Sequence, residues 1–205
     1  SYLNGEVVDS MGGGICQVST TLYNAVLRAE LNVTERSPHS MTVHYVDLSE
    51  DAAIAGTYKD FKFVNSTEYP IYIEGYTTSD KKITFNIYGK ETRDKNRTIS
   101  FESQMVSETP ATTILQEDAG QGIGYKAVSS KGSSGYVAEL YKIVKVNGVE
   151  TDRIKVNKST YKGTNRVVTY GTAGDPTLSE NLRAAIAAQD EALADANIAA
   201  AVPAQ

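Results

Sequence analysis

The chain has one cysteine, two histidines, no tryptophan and five prolines in 205 residues, and no long apolar run. Each scarcity excludes something. A single cysteine cannot form an intrachain disulfide, so a disulfide-stapled scaffold is ruled out and cysteine usage does not report the redox compartment. One cysteine and two histidines also fall short of a usual structural zinc site, and neither a metal nor another cofactor is expected. No apolar stretch reaches the roughly eighteen residues that a membrane-spanning helix needs, although a signal or membrane anchor could precede Ser1. The formal net charge of -5 argues against nucleic acid as a partner, because phosphate binding needs a basic face. What remains, 40% hydrophobic and 22% charged residues, describes an ordinary globular chain long enough for one large or two small domains.

The one cysteine is placed where chemistry is favoured. Cys16 lies in GGGICQVSTTLYNA (residues 12–25), where a glycine run leads into a helical pattern. Backbone N–H groups in the first turn of a helix lack intrahelical partners and the macrodipole adds positive charge there, so a thiolate is stabilised. Gly12, Gly13 and Gly14 carry no Cβ, so the chain can turn tightly and a substrate can approach the backbone. From Gln17 onward, Val18, Leu22, Val26 and Ala29 recur at helical spacing, with Tyr23 and Ala25 beside them, and predict one buried face. The alternative is that Cys16 is a small core residue and the glycines only allow close packing.

A thiol nucleophile needs a base, and the candidates are His39 and His44. Ser37-Pro38 ends one segment and the β-forming run from Met41 to Val46 predicts a strand, with His39 at its entrance and His44 inside it. Among the following carboxylates, Asp47, Glu50, Asp51 and Asp60, the choice for an orienting third group is Asp51, which opens the apolar run Ala52 to Ala55.

Beyond this point the pattern becomes almost entirely β. Phe61 and Phe63, then Ile71 and Ile73, then Ile83, Phe85 and Ile87 alternate with polar neighbours and predict antiparallel strands. The charged stretch Gly89 to Arg97 reads as a linker or as a solvated hairpin loop. Arg97 to Val106 predicts a strand. Gly120, Gly122 and Gly124 mark a loop, and Asn147-Gly148 predicts a type I′ hairpin turn between Tyr136–Val146 and Val149–Val156. Residues 178–201 are alanine-rich with Leu178, Leu182, Ile186, Leu193 and Ile198 at near-helical intervals, which predicts a terminal helix forming a weakly packed extension.

The run GGGICQVSTTLYNA, with Glu35-Arg36, His39-Ser40, Tyr45-Val46, Asp51-Ala52 and DFKFVNSTEYPIYI (60–73), resembles the VanW family over roughly residues 1–90. The family is named from a vancomycin-resistance gene cluster, and members are implicated as cysteine-dependent L,D-transpeptidases. The resemblance implies Cys16 as nucleophile and His39 as its partner, with His44 the weaker alternative. VanW domains usually carry a further stretch before the part that aligns with Ser1, so an N-terminally truncated domain is expected. In such a reaction backbone N–H groups at Cys16 and Gln17, or the Gln17 side chain, would stabilise the oxyanion. Gly13, Gly14, Gln17 and Ser19 are the expected oxyanion and substrate-binding residues; Ser19 and Thr20 could equally be solvated helix residues.

Residues 101–172, with GYKAVSSKGSSGY, the Asn-Gly hairpin and RVVTYGT, resemble the G-five extracellular domain, for which binding to N-acetylglucosamine-containing polymers is proposed. Tyr125, Tyr136, Tyr141, Tyr161 and Tyr170 could then stack on sugar rings or could be plain sheet packing.

The expected fold class is α+β: a helix-plus-antiparallel-sheet VanW-like domain (1–92), an all-β G-five-like module (97–172) and an alanine-rich helical tail (173–205). The function these resemblances imply is a cell-wall cysteine acyltransferase crosslinking peptidoglycan stem peptides, extracellular on a Gram-positive surface. Its alternative is a non-catalytic glycan- or peptidoglycan-binding protein linked to glycopeptide resistance.

Overall fold

A computed structural model describes residues 14–201, together with the backbone of two short antiparallel strands, β1 (Tyr2–Leu3) and β2 (Glu6–Val7). Gly12 and Gly13, expected to let a substrate approach the backbone, lie outside the described residues. The fold mixes helices and sheets as the patterning predicts, and the chain divides into two compact units.

The first unit comprises residues 1–108 and 136–162. It contains helix α1 (Ile15–Arg28), the antiparallel pairs β3 (Asn32–Arg36) with β4 (Phe61–Val64) and β5 (Tyr72–Thr77) with β6 (Ile83–Tyr88), and strand β7 (Arg97–Thr109). The long hairpin β10 (Gly135–Val146) and β11 (Val149–Tyr161) completes a sheet of order β11-β10-β7. Its turn is the expected one: Asn147 and Gly148 both have positive φ, at 52° and 80°. The core packs Tyr23 and Leu27 of α1 against Ala52 and Leu140, with Val33, Phe61, Phe101 and Val156 around them.

The buried face of α1 is not the predicted stripe. Ser19, Thr20, Tyr23, Val26 and Leu27 are buried, whereas Val18 is exposed. Two hydroxyls can occupy the inner face because both are satisfied there: Ser19 Oγ and Thr20 Oγ1 donate to the Ala52 carbonyl at 2.6 and 3.2 Å, and Thr20 Oγ1 accepts from Ala52 N at 3.0 Å. Ser19 and Thr20 are thus docking residues for residue 52, not solvated ones. The helix ends with Glu30 at φ 57° and Leu31 N donating to Val26 O at 3.1 Å, a left-handed stop without glycine. Arg97, Lys142 and Arg93 converge on the Glu30 carboxylate and hold it well below the usual carboxylate range against the effect of burial. The charged stretch 89–97 is therefore a loop pinned within this unit by Arg93 and Arg97, with chain of the same unit on both sides.

The second unit comprises residues 109–135 and 163–205. Strands β8 (Thr113–Gly122), β9 (Lys126–Ser133) and β12 (Thr164–Ala173) form a sheet of order β8-β12-β9, in which β12 runs parallel to β8 and antiparallel to β9. Gly120 and Gly122 are strand residues; only Gly124 lies in the following turn. At Gly171 a Cβ would meet the Gly122 carbonyl oxygen at 2.3 Å, so glycine is required by the close approach of the two strands. The tail is two helices, α2 (Pro176–Ala187) and α3 (Glu191–Ala201), separated at Gln189 by a φ of 56°.

The weakly packed extension predicted for this tail is overturned. Leu182, Ala185, Ile186 and Ala194 pack with Leu115, Val168 and Tyr170 into the core of the unit, and the Gln189 side chain bonds both backbone groups of Leu115. Leu182→Ala should therefore cost about 2–5 kcal/mol, read as a lowered urea midpoint of the helical signal. A midpoint within error of wild type would mean that the tail is not part of this core.

Candidate active site

Cys16 sits in the first turn of α1, half-buried, with Gly14 as N-cap. Gly14 has an ordinary φ of -90° and open space where a Cβ would stand, so its backbone does not demand glycine. The first intrahelical bond runs from Val18 N to Gly14 O at 3.0 Å, which places the Cys16 and Gln17 N–H groups ahead of the ladder. Gln17 is exposed, and its carbonyl accepts from Thr21 Oγ1. The thiol points at the Ile54 carbonyl, with Sγ to O at 3.5 Å, and not at a histidine.

The predicted strand 41–46 does not form. After β3 the chain runs irregularly from Ser37 to Ile54, and His44 is exposed within it. His39 is buried, and its immediate partner is Asp51: Nδ1 to Oδ2 is 2.7 Å and the His39 backbone N donates to the same oxygen at 2.6 Å. Loop formation has a physical reason here, because the backbone of residues 37–39 bonds to the 51–53 segment instead of a neighbouring strand: Ala53 N also donates to Ser37 O at 2.8 Å.

Asp51 is fully buried and saturated. Arg36 Nη2 donates to Oδ1 at 2.8 Å, Arg36 Nε to the Asp51 carbonyl at 2.6 Å, and the Tyr161 hydroxyl makes a short hydrogen bond to Oδ1. With the two His39 donors, the carboxylate accepts four hydrogen bonds, about its full capacity. Burial pushes the Asp51 carboxyl up, but the bonds from His39 and Tyr161 and the Arg36 charge outweigh it and hold the group below its ordinary value. An ionised carboxylate only accepts, so Nδ1 of His39 carries the hydrogen, and the neutral tautomer this selects has its lone pair on Nε2. The Tyr45 hydroxyl stands 3.5 Å from that Nε2.

The segment 51–54 is the common support. Ala52 takes the Ser19 and Thr20 hydroxyls, Ile54 O faces the Cys16 thiol, and Asp51 holds His39. Cys16, His39 and Asp51 are thereby fixed to one short stretch of backbone, though the thiol makes no hydrogen bond to His39. Asp47 is exposed, and Asp60 bonds the Phe61 N–H and pairs with Lys62.

Sequence reading missed the outer ring. Arg36 appears in the motif run without a role, and Asn157, Ser159 and Tyr161 lie more than a hundred residues away on β11. Alternate residues of β11 face inward: Ser159 accepts from Arg36 Nη1 at 2.7 Å, Asn157 Nδ2 donates to the Tyr23 hydroxyl at 2.8 Å and to Ser49 O at 3.0 Å, and Tyr161 reaches Asp51. Ser49 N in turn donates to the Tyr161 oxygen at 2.8 Å. Tyr161 and Tyr170, both buried, are not available for sugar stacking; burial and the Asp51 charge push Tyr161 up to about 12. The alternation could have revealed a one-sided face on β11, but not what that face meets. Tyr161→Phe leaves Ser49 N and Asp51 Oδ1 each short of a partner, so a loss of about 1–3 kcal/mol is expected in denaturant melts. An unchanged midpoint would show that the hydroxyl is dispensable to this network.

Two cavities open in this unit. One of about 880 Å³ lies at the far end of α1 from Cys16, beside Glu30, Tyr69 and Arg93. The other, about 340 Å³, is lined by His39, Ser40, Lys59 and Lys162 among others and so belongs to the site.

Comparison with known proteins agrees with the two-part reading of the sequence. Residues 1–88 match the family model described as VanW like protein, and residues 101–173 match that of the G5 domain. A 71-residue stretch is 45% identical to the uncharacterized protein YoaR of Bacillus subtilis (strain 168), covering 35% of this chain and 23% of that relative. The chain thus spans less than a quarter of that relative's length. Among solved structures, the IgA1 protease G5 domain aligns at 24% identity over 41% of this chain and 100% of its own, with a TM-score of 0.30. The HP0197 G5 domain aligns at 20% identity over 37% and 97%, with a TM-score of 0.24.

Proposed function

Given that residues 1–88 are a VanW-like segment and residues 101–173 a G5 domain, in that order, we propose that the protein is a cysteine acyltransferase of the cell wall. It would crosslink peptidoglycan stem peptides through a thioester, at the surface of a Gram-positive cell, with the G5 segment binding wall glycan. The observation that carries this reading is the buried Asp51–His39 pair, fixed to the same backbone segment that the Cys16 thiol faces.

The chemistry follows from the groups present. Nε2 of His39 takes the thiol proton, and the sulfur attacks the carbonyl carbon of a donor peptide bond, forming a C–S bond and an oxyanion. The Cys16 and Gln17 N–H groups at the helix start are the donors for that oxyanion. Collapse expels the amine, which takes its proton back from His39, and leaves a thioester. The amine of a second stem peptide then attacks, loses a proton to Nε2, and releases the thiolate with a new amide bond. Asp51, which cannot easily be protonated, keeps Nδ1 as donor and steadies the imidazolium that forms transiently. Incubation of the protein with disaccharide tetrapeptides, followed by mass spectrometry, should yield crosslinked dimers; hydrolysed monomers alone would replace the transferase by a peptidase.

A further inference from the structure

The cleft beside His39 has a charge pattern that the catalytic groups do not use. Its lining comprises Ser37, Pro38, His39, Ser40, Tyr58, Lys59, Thr160 and Lys162, with two ammonium groups and no carboxylate. Lys59 is the unusual one. A tight turn holds it, with Ala55 and Lys59 bridged through their backbones and Gly56 at a φ of 51°. Its half-buried Nζ donates to Pro38 O at 2.7 Å and to Ser40 Oγ at 3.1 Å, both neutral oxygens. Among the described residues it has no carboxylate within ion-pair distance, in contrast to Lys126 and Lys142, which are paired. A partly desolvated ammonium without a counter-ion is costly, and an arriving anion relieves that cost.

Neighbouring negative charge does not fill the role. Asp51 does not line the cleft, and its acceptor sites are occupied by Arg36, His39 and Tyr161. Burial pushes the Lys59 amine down, with Asp51 and the Cys16 sulfur acting in the opposite sense, so the ammonium lies within electrostatic reach of both. Lys162 is exposed, and its backbone N donates to Ser40 O at 2.8 Å, which ties its backbone to the loop that Lys59 Nζ also bonds.

We infer that Lys59, assisted by Lys162, forms a carboxylate-binding subsite in the His39 cleft, which recognises the free C-terminal carboxylate of a peptide. The inference rests on the proposed acyl transfer only for its purpose: a carboxylate held here would place the adjoining amide beside Nε2 of His39. An ammonium with one N–H free for the ligand gives a charge-assisted bond.

Binding is measured without turnover, on the Cys16→Ala protein, by calorimetric titration with N-acetyl-L-alanyl-D-alanine and with its C-terminal amide. The free acid should bind about tenfold more tightly than the amide. Lys59→Gln should abolish that preference while leaving amide binding unchanged, Lys59→Arg should retain most of it, and Lys162→Gln should lower it by less. Equal binding of acid and amide to the parent protein overturns the subsite, as does a Lys59→Gln variant that loses both ligands equally. The parent comparison needs no Lys59 variant to fold, only the Cys16→Ala protein, whose half-buried thiol in the wild type makes a weak contact to Ile54 O. Acid preference without any crosslinking by the wild type would sustain the subsite and sink the transferase; crosslinking with no acid preference would do the reverse.

Discussion

Cys16→Ala should reduce crosslinked product by at least about 10³-fold, to the background of the assay, because no other thiol exists to carry the acyl group. The intact wild-type protein mixed with donor peptide should also gain the mass of an acyl adduct that the variant never shows. Folding should be nearly unaffected. The sulfur is half-buried and its hydrogen bond to Ile54 O, at 3.5 Å, is a weak thiol contact, so a change of less than about 1 kcal/mol is expected. This separation of activity from stability distinguishes a nucleophile from a structural thiol. Equal product from both proteins would remove Cys16 from the mechanism, and a large loss of stability would identify it as a packing residue.

Asp51→Ala should have the opposite balance, with stability lost along with activity. The substitution strips the partner from a buried guanidinium, from both His39 donors and from the Tyr161 hydroxyl at once. Removing one side of a buried ion pair typically costs about 3–5 kcal/mol, because the remaining charge stays desolvated without compensation. Acid dependence should change as well. The Asp51 carboxyl lies below its ordinary value in the folded protein, so the unfolded chain binds the proton more readily. Its contribution to stability is then fully present above about pH 4 and is lost as pH falls through the folded value. Wild-type urea midpoints should drop in that acid window, and the Asp51→Ala protein should show less of the drop from an already lowered plateau. Matching midpoints at pH 7 would contradict the network drawn around this carboxylate.

Much of this arrangement is legible in the residues themselves. The glycine run and helical spacing locate Cys16 at a helix start, Asn147-Gly148 fixes the long hairpin by its need for two positive φ values, and the alternating apolar residues mark β4 to β6. Other readings fail for identifiable reasons. The 41–46 run has β-forming composition, yet the adjoining residues 37–39 bond to segment 51–53 and leave no ladder for a strand. Hydrophobicity alone predicts a different inner face for α1, whereas Ser19 and Thr20 are buried because Ala52 satisfies them. The terminal helices look thin in isolation and become core only when Leu115, Val168 and Tyr170 are brought under them.

The sequence by itself determines the reactive inventory: one thiol, two imidazoles, a carboxylate ahead of a short apolar run, and the local geometry of helix start and hairpin. These depend on residue type and on contacts a few positions apart. Only the tertiary structure decides between His39 and His44 as the partner of Asp51, brings Arg36 and Tyr161 onto that carboxylate, and leaves Lys59 facing the cleft without a counter-ion among the described residues. Each of those outcomes depends on desolvation and on hydrogen bonds between segments as far apart as residues 51 and 161, and such energies exist only once the chain has folded.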